Sequence, residues 1–322
     1  MKKNILITSA GKRVVLVKIF QQTLKKLEIE GKVFTSELNP CLSPAAVVSD
    51  KCFKLPKVTD PNYIELLLEI CIENSIFLIV PTIDTELLIL AENKELFKNN
   101  NINIIISDLN FIEICRDKRN TGAYLDQLGI RIPKAINKFA PTFPIFAKPY
   151  DGSLSKDLYL IKNESELTSE ILEHPKLMFM EYIDKKEYVE YSVDIYYGQD
   201  NRVKSIIPRE RLEIRAGEIN KGYTRKNYLV YFLKDRLGYL PGVIGCICLQ
   251  LFYRKEDNDI VGIEINPRFG GGYPLSYYAG ANFPDFLIKE YLLEESIEYS
   301  ENWLDNTLML RYDEDIIVYE EK

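Results

Sequence analysis

The stretch Glu264-Ile265-Asn266-Pro267-Arg268-Phe269-Gly270-Gly271-Gly272 closes an apolar run from Ile260 to Ile265 that reads as a strand. Side chains alternate along a strand, so Glu264 and Asn266 share one face. A carboxylate and an amide on one face are hard-oxygen donors of the kind Mg²⁺ takes together with substrate phosphates. Arg268 continues the alternation and adds a fixed cation. Pro267 and the three glycines end the strand and leave bare backbone beside it. An isolated Glu-x-Asn is ordinarily just a strand end. Proline, arginine and the glycine run favour a metal–phosphate site.

Composition narrows the function classes. The chain has 322 residues, 46% of them hydrophobic and 28% charged, which is globular and long enough for two or three domains. A net charge of −7 without a basic tail makes nucleic acid an unexpected partner. Met1-Lys2-Lys3-Asn4 leads into a short strand-like run, and no apolar segment is long enough to span a bilayer. Six scattered cysteines, with no CxxC pair, read as reduced core thiols, so the expectation is a cytoplasmic protein with no membrane partner. The one histidine, His174, lies in the turn-like Glu173-His174-Pro175. Acid–base or metal chemistry then rests on Asp, Glu, Lys, Tyr and bound cations rather than on a histidine triad or a His-rich zinc site.

The first hundred residues alternate strand and helix. Lys3 to Thr8, Lys32 to Thr35, Ile76 to Pro81 and Ile102 to Ser107 read as strands; Val14 to Leu27 and Tyr63 to Asn74 have helical spacing. This order implies a parallel sheet with helices on both faces. The turn at Gly11 lacks both the dinucleotide fingerprint and the P-loop pattern. Gly11 serves packing or touches a small substrate at the carboxyl end of the first strand. Pro81-Thr82-Ile83-Asp84-Thr85-Glu86 either binds an acceptor or caps the next helix.

The middle of the chain carries Arg116-Asp117-Lys118-Arg119-Asn120-Thr121 at a helix start, then the strand Phe143-Pro144-Ile145-Phe146-Ala147-Lys148-Pro149. A lysine amid apolar neighbours must desolvate or meet an anion. The polar loop Asp151-Gly152-Ser153-Leu154-Ser155-Lys156-Asp157 comes next, placed to fold over a ligand. Phe179-Met180-Glu181-Tyr182-Ile183 and Glu190-Tyr191-Ser192-Val193-Asp194-Ile195 are further strands, the second returning through Val203 to Pro208. Beyond it, Arg209, Arg211, Glu213 and Arg215 fall on one strand face. They form either a solvated charged edge or, through Arg209 or Arg211, a fork for a substrate carboxylate or acyl phosphate. Tyr273 to Gly280 is placed to line an acceptor pocket.

These segments, in this order, resemble the ATP-grasp superfamily, and in particular one synthetase unit of the carbamoyl-phosphate synthase large subunit. Asn-Pro-Arg-Phe-Gly-Gly-Gly is the specific match; Ala-Lys-Pro and Glu-Tyr-Ile add weaker ones. The resemblance implies an α/β and α+β architecture: an amino-terminal parallel-sheet, Rossmann-like pre-ATP-grasp domain (residues 1–112), then a two-lobe ATP-grasp fold with a small lobe and lid (113–183) and a large lobe with the metal site (184–322). It implies ATP and Mg²⁺, with two ions and Mn²⁺ as a substitute. Lys118 and Lys148 would contact phosphates, and Ser153 and Ser155 would sit on the lid. Glu181 and Ile183 would offer backbone hydrogen bonds to adenine, with Met180 stacking on it. Glu190, by motif, or Glu187, by spacing, would hold the ribose. Gln250, Glu264 and Asn266 would hold the metals. Arg268 would stabilise the transferring phosphoryl group, with Arg209 and Arg211 on the substrate.

Leu154 and Asp157 stand where glycine is expected in the lid, with Lys156 to compensate. The chain holds one grasp unit and no glutaminase partner motif. The expectation is therefore a stand-alone carboxylate–amine ligase that activates a carboxylate or bicarbonate as an acyl phosphate, with small-molecule carboxylate and amine partners and a homodimer allowed. The alternative is an ATP-binding regulatory or scaffold protein with little turnover.

Overall fold

Asn4–Thr8 (β1) is wholly buried, which its Asn-Ile-Leu-Ile-Thr sequence allows only if both faces are covered. The computed structural model describes residues 3–152 and 157–319. The first unit runs from β1 through α1 (Val14–Lys26), β2 (Val33–Glu37), α2 (Pro44–Val48), β3 (Lys51–Lys54), α3 (Tyr63–Glu73), β4 (Ile76–Pro81), α4 (Asp84–Glu92) and α5 (Lys94–Lys98) to β5 (Asn103–Ile104). Its five strands are all parallel, in the order β3-β2-β1-β4-β5. The order reverses at β1, so the loops after β1 and β4 open side by side at the carboxyl edge, where such sheets bind ligands. The strand expected over Ile102–Ser107 shrinks to two residues, because β5 is an edge strand with β4 as its only neighbour.

Helices α6 (Leu109–Arg116) and α7 (Lys118–Gln127) follow. Asp117 caps α7 by accepting from the Arg119 N–H at 2.8 Å. A small antiparallel sheet, β7-β6-β8, comprises β6 (Ile145–Pro149), β7 (Tyr159–Ile161) and β8 (Leu177–Glu181), with α8 (Ser169–Glu173) beside it. A large sheet follows in the order β13-β12-β9-β10-β11-β14: β9 (Val189–Tyr197), β10 (Val203–Arg215), β11 (Glu218–Thr224), β12 (Gly245–Arg254), β13 (Asp259–Asn266) and β14 (Leu308–Leu310), with helices α9 (Tyr228–Leu237), α10 (Tyr273–Tyr278) and α11 (Phe283–Leu292). Helix α7 packs on β13 of this large sheet, with Leu125 in its core.

One buried cluster joins the two sheets: Ile5, Ile7 and Phe20 of the first unit pack with Ile195, Phe269 and Phe283 of the last. Phe20 meets Phe269 edge-on at 6.1 Å. The segment that closes β13 is thus anchored to the first unit by aromatic packing. The small sheet has its own core of Ile145, Ala147, Ile161, Ile171 and Phe179. Among the described residues, no helix is long and apolar enough to cross a membrane.

Phe20→Ala should cost about 3–5 kcal/mol of unfolding free energy, the usual range for an emptied aromatic site. Urea denaturation measures it. A loss below roughly 1 kcal/mol would show that the first unit does not depend on this packing.

Candidate active site where the three sheets meet

A cavity of about 820 Å³ opens where the first unit, the small sheet and the large sheet meet. That is large enough for a drug-sized ligand and more. One end is apolar. Phe146 and Met180 from the small sheet face Phe252 and Ile263 from the large sheet, with Ile183 on the connection between them. Met180 and Ile183 are buried. A flat, uncharged ring fits this end. The Glu181 side chain bonds Arg131 and accepts from the Lys134 N–H at 3.1 Å. Its own backbone N–H is spent on the Lys134 carbonyl at 2.8 Å, which removes that donor from any contact with a base.

The two ribose candidates part company. Glu190 lines the cavity and binds Arg211 at 2.6 Å and Lys185 at 2.9 Å. Glu187 lies outside the lining, exposed, and pairs with Arg254 at 3.0 Å.

At the centre the strand β13 does what its alternation requires. Asn266 Nδ2 donates to Glu264 Oε1 at 3.1 Å, and Gln250 Nε2, from the facing position of β12, donates to the same oxygen at 2.8 Å. The Lys118 ammonium lies 3.6 Å from Glu264 Oε2. Burial alone would raise the Glu264 carboxyl, but Lys118, Lys148, Asn266 and Arg268 hold it below the usual value, so it is an anion. Lys148 is only 7% exposed. Burial pushes its ammonium down to about 8, against the pull of Glu264.

The donor set of Gln250, Glu264 and Asn266 contains one carboxylate and two amides, and an amide presents either its nitrogen or its oxygen by a half-turn. Here both amides turn nitrogen to Glu264, with Gln250 Oε1 accepting from Arg211 at 3.1 Å and Asn266 Oδ1 from Arg268 at 3.4 Å; turned to oxygen, the set would fit Mg²⁺. A single negative charge fits it only if phosphate oxygens complete the shell, so the cation would arrive with its nucleotide.

The other end of the cavity belongs to the first unit. Its two loops, Ser9–Arg13 and Thr82–Thr85, are tied together by Glu86, the last residue of the stretch expected either to bind an acceptor or to cap the helix. Glu86 is fully buried and accepts from the Thr82 N–H at 2.8 Å and from Ser9 Oγ at 2.9 Å. Gly11 takes the left-handed φ of +52° that glycine adopts freely, with its N–H bonded to Glu37 and its carbonyl to Ser43 Oγ. That amide is therefore used within the domain. Asp84 reaches across to Arg268 at 2.5 Å, coupling the first unit to the centre.

The charged row on β10 divides. Arg209 and Arg211 turn inward, their side chains 1% and 4% exposed. Pairing with β9 ends at Glu210, and the rest of β10 runs on beside β11, so Glu213 and Arg215 lie in solvent, pairing with Lys221 and Asp313. A single charged face holds for half the row only. Arg209 pairs with the buried Asp194 at 2.7–2.8 Å, and its Nη1 has no hydrogen-bond partner. Tyr273, expected to line a pocket, is instead a core residue whose hydroxyl bonds the Ala281 carbonyl at 2.9 Å.

The glycine run has a local reason. A Cβ on Gly272 would lie 2.1 Å from Arg209 Nη1, and one on Gly271 would lie 2.3 Å from a Glu218 carboxylate oxygen. Glycine there admits two charged side chains against the backbone. The sequence had instead given that space to a phosphate. Arg13, Asp194, Glu218 and Arg311 were not singled out. Arg13 follows the Gly11 turn at a strand's carboxyl end, a signal that could have been read. Arg311 lies in an irregular tail and carries no pattern. Ser153 and Ser155 lie outside the described residues.

Comparison with known proteins gives the class. Residues 173–309 match the family described as ATP-grasp in the biosynthetic pathway with Ter operon, and residues 5–105 match the PylC-like N-terminal domain. The chain carries an ATP-grasp domain behind a PylC-like N-terminal domain. No curated protein matches it in sequence. The fold is shared with the biotin carboxylase domain of Hydrogenobacter thermophilus 2-oxoglutarate carboxylase, solved with MgADP, ADP and bicarbonate, at 16% identity and a TM-score of 0.70 over 96% of this chain and 73% of that one. N5-carboxyaminoimidazole synthetase from Staphylococcus aureus complexed with ADP matches at 18% identity and 0.69, over 96% and 81%. L-amino acid ligase from Bacillus licheniformis matches at 18% and 0.65, over 90% and 74%.

The depressed Lys148 gives a pH dependence. A phosphate favours the ammonium, so above pH 8 nucleotide binding must take up a proton and weaken. The dissociation constant of Mg-ATP should rise between pH 8 and pH 10 by up to tenfold per unit, and Lys148→Met should flatten that rise. Titration calorimetry at pH 7.5 and 9.5 checks it; a flat wild-type profile would place Lys148 away from the phosphates.

Proposed function

We propose that this protein is an ATP- and Mg²⁺-dependent ligase that activates a carboxylate, or bicarbonate, as an acyl phosphate for attack by an amine, releasing ADP and phosphate. The observation that carries this reading is the convergence of Lys118, Lys148, Gln250, Glu264, Asn266 and Arg268 at the centre of one cavity whose far wall is apolar. Phosphoryl transfer asks a protein chiefly for positioning and charge neutralisation, and this set supplies both.

The residues divide the work. The base lies between Met180, Ile183 and the apolar side chains opposite, and Glu190 takes the ribose hydroxyls. Lys118 and Lys148 neutralise phosphate oxygens. Gln250, Glu264 and Asn266 hold Mg²⁺, which supplies charge to the phosphates when bound. Arg268, held in place by Asp84 and Asn266, faces the transferring group. Arg209 Nη1, buried and unpartnered, is left to bond an oxygen of the activated carboxylate.

Two outcomes test the reading. Incubation with Mg-ATP and a panel of amino acids, bicarbonate and small diacids should give ADP and phosphate, and hydroxylamine should trap the acyl group as a hydroxamate. AMP as the main nucleotide product would sink the acyl-phosphate route, and Mg-ATP binding without turnover on any substrate would favour a regulatory protein. Separately, Glu264→Gln should stay folded and lose about a hundredfold or more in kcat, the scale expected when a key electrostatic element is removed. Full turnover in that variant would remove Glu264 from the chemistry.

A further inference from the structure

At the end of the cavity built by the first unit, a cation and an anion stand side by side with capacity to spare. Arg13 lines this end, and its guanidinium makes one long contact, from Nη2 to the Thr82 carbonyl at 3.4 Å. Arg209, Arg268 and Arg311 each face a carboxylate within 3 Å. Among the described residues Arg13 has no carboxylate in ion-pair range; burial and the nearby Arg268 press its charge down, and Glu218 and Asp84 support it only from beyond that range. Such a group is costly to keep charged without an anion.

Glu218 lines the same end. Arg311 Nη1 holds it at 2.9 Å and the exposed Lys12 lies 3.5 Å away. Burial would raise its carboxyl, but Arg13, Lys12 and Arg311 keep it ionised. Both its bonded contacts fall on Oε2.

Resting on the ligase reading above, we infer that the acceptor is an α-amino acid, with its carboxylate forked by Arg13 and its α-ammonium bonded to Glu218. A substrate carrying only a carboxylate would meet Glu218 as a like charge. A substrate carrying only an ammonium would meet Arg13. Only a molecule with both signs a few ångströms apart satisfies the two together, and free amino acids have that form. The loops bearing Arg13 and Thr82 are tied together by Glu86, and Glu218 at the start of β11 is held by Arg311. Arg311 comes from the chain's irregular tail to hold Glu218 and also bonds the Gly271 carbonyl, which sets Glu218 against the glycine run.

The test is binding. Each of the twenty common amino acids is titrated into the full chain by thermal shift and calorimetry, with and without Mg-ADP, beside ethylamine and propionate as the two half-molecules. At least one amino acid should bind and neither half-molecule should. Arg13→Gln and Glu218→Gln should each weaken that amino acid by about tenfold or more, as expected for one lost charged hydrogen bond, while their response to Mg-ADP shows that they remain folded. The inference falls if no amino acid binds, if propionate or ethylamine binds as well as the amino acid, or if both variants keep wild-type affinity. The two readings fail separately: Mg-ADP binding without amino acid binding overturns this inference and leaves the ligase reading, whereas amino acid binding without any nucleotide response overturns the ligase reading alone.

Discussion

The buried pair of Asp194 and Arg209 is the constraint on which the site's construction depends. Asp194 is fully buried, accepts from Ser276 Oγ at 2.6 Å and pairs with Arg209 on the neighbouring strand at 2.7 Å. Neither charge reaches bulk water, so each needs the other; removing one partner of such a pair commonly costs about 3–5 kcal/mol. Placing the guanidinium there forces the backbone after β13 to pass close to it. Only glycine at Gly272 allows that approach. The pair therefore fixes β9, β10 and the turn that follows β13 relative to one another.

The cavity is a graded arrangement of charge built outward from that pair. Its apolar end carries no unpaired charge. Its centre has more cations than anions, with Lys118, Lys148 and Arg268 around Glu264. That excess suits a ligand bearing several negative charges and would be costly without one. Coupling runs across units as well: Asp84 of the first unit holds Arg268 after β13, and Phe20 packs on Phe269 next to it. The first unit is thus a wall of the site, and a shift of α1 would be felt at Arg268.

Much of this was legible in order along the chain. The 2-residue alternation of β13 put Glu264 and Asn266 together, and a lysine in an apolar strand announced a buried cation at Lys148. Strand–helix alternation gave the parallel first sheet. Those signals are local: they follow from the period of a strand or from the cost of burying one charge. The lapses were also local. Glu187 had suitable spacing, but its carboxylate turned to Arg254 at the surface. The row from Arg209 to Arg215 had strand period throughout, but its β9 neighbour ends opposite Glu210, and where a partner strand stops is not recorded in the strand itself.

By itself the sequence determined the architecture, the shared face of Glu264 and Asn266 and the burial of Lys148, because hydrophobic period and residue type suffice for these. The tertiary structure alone decided which charges meet: Asp84 on Arg268, Arg311 brought from the tail onto Glu218, Arg209 locked to Asp194. These contacts join residues far apart in the chain, and nothing in the local pattern of either partner records the other. Their pairing follows from three-dimensional packing, through which burial makes each unpaired charge costly enough to require a partner or a ligand.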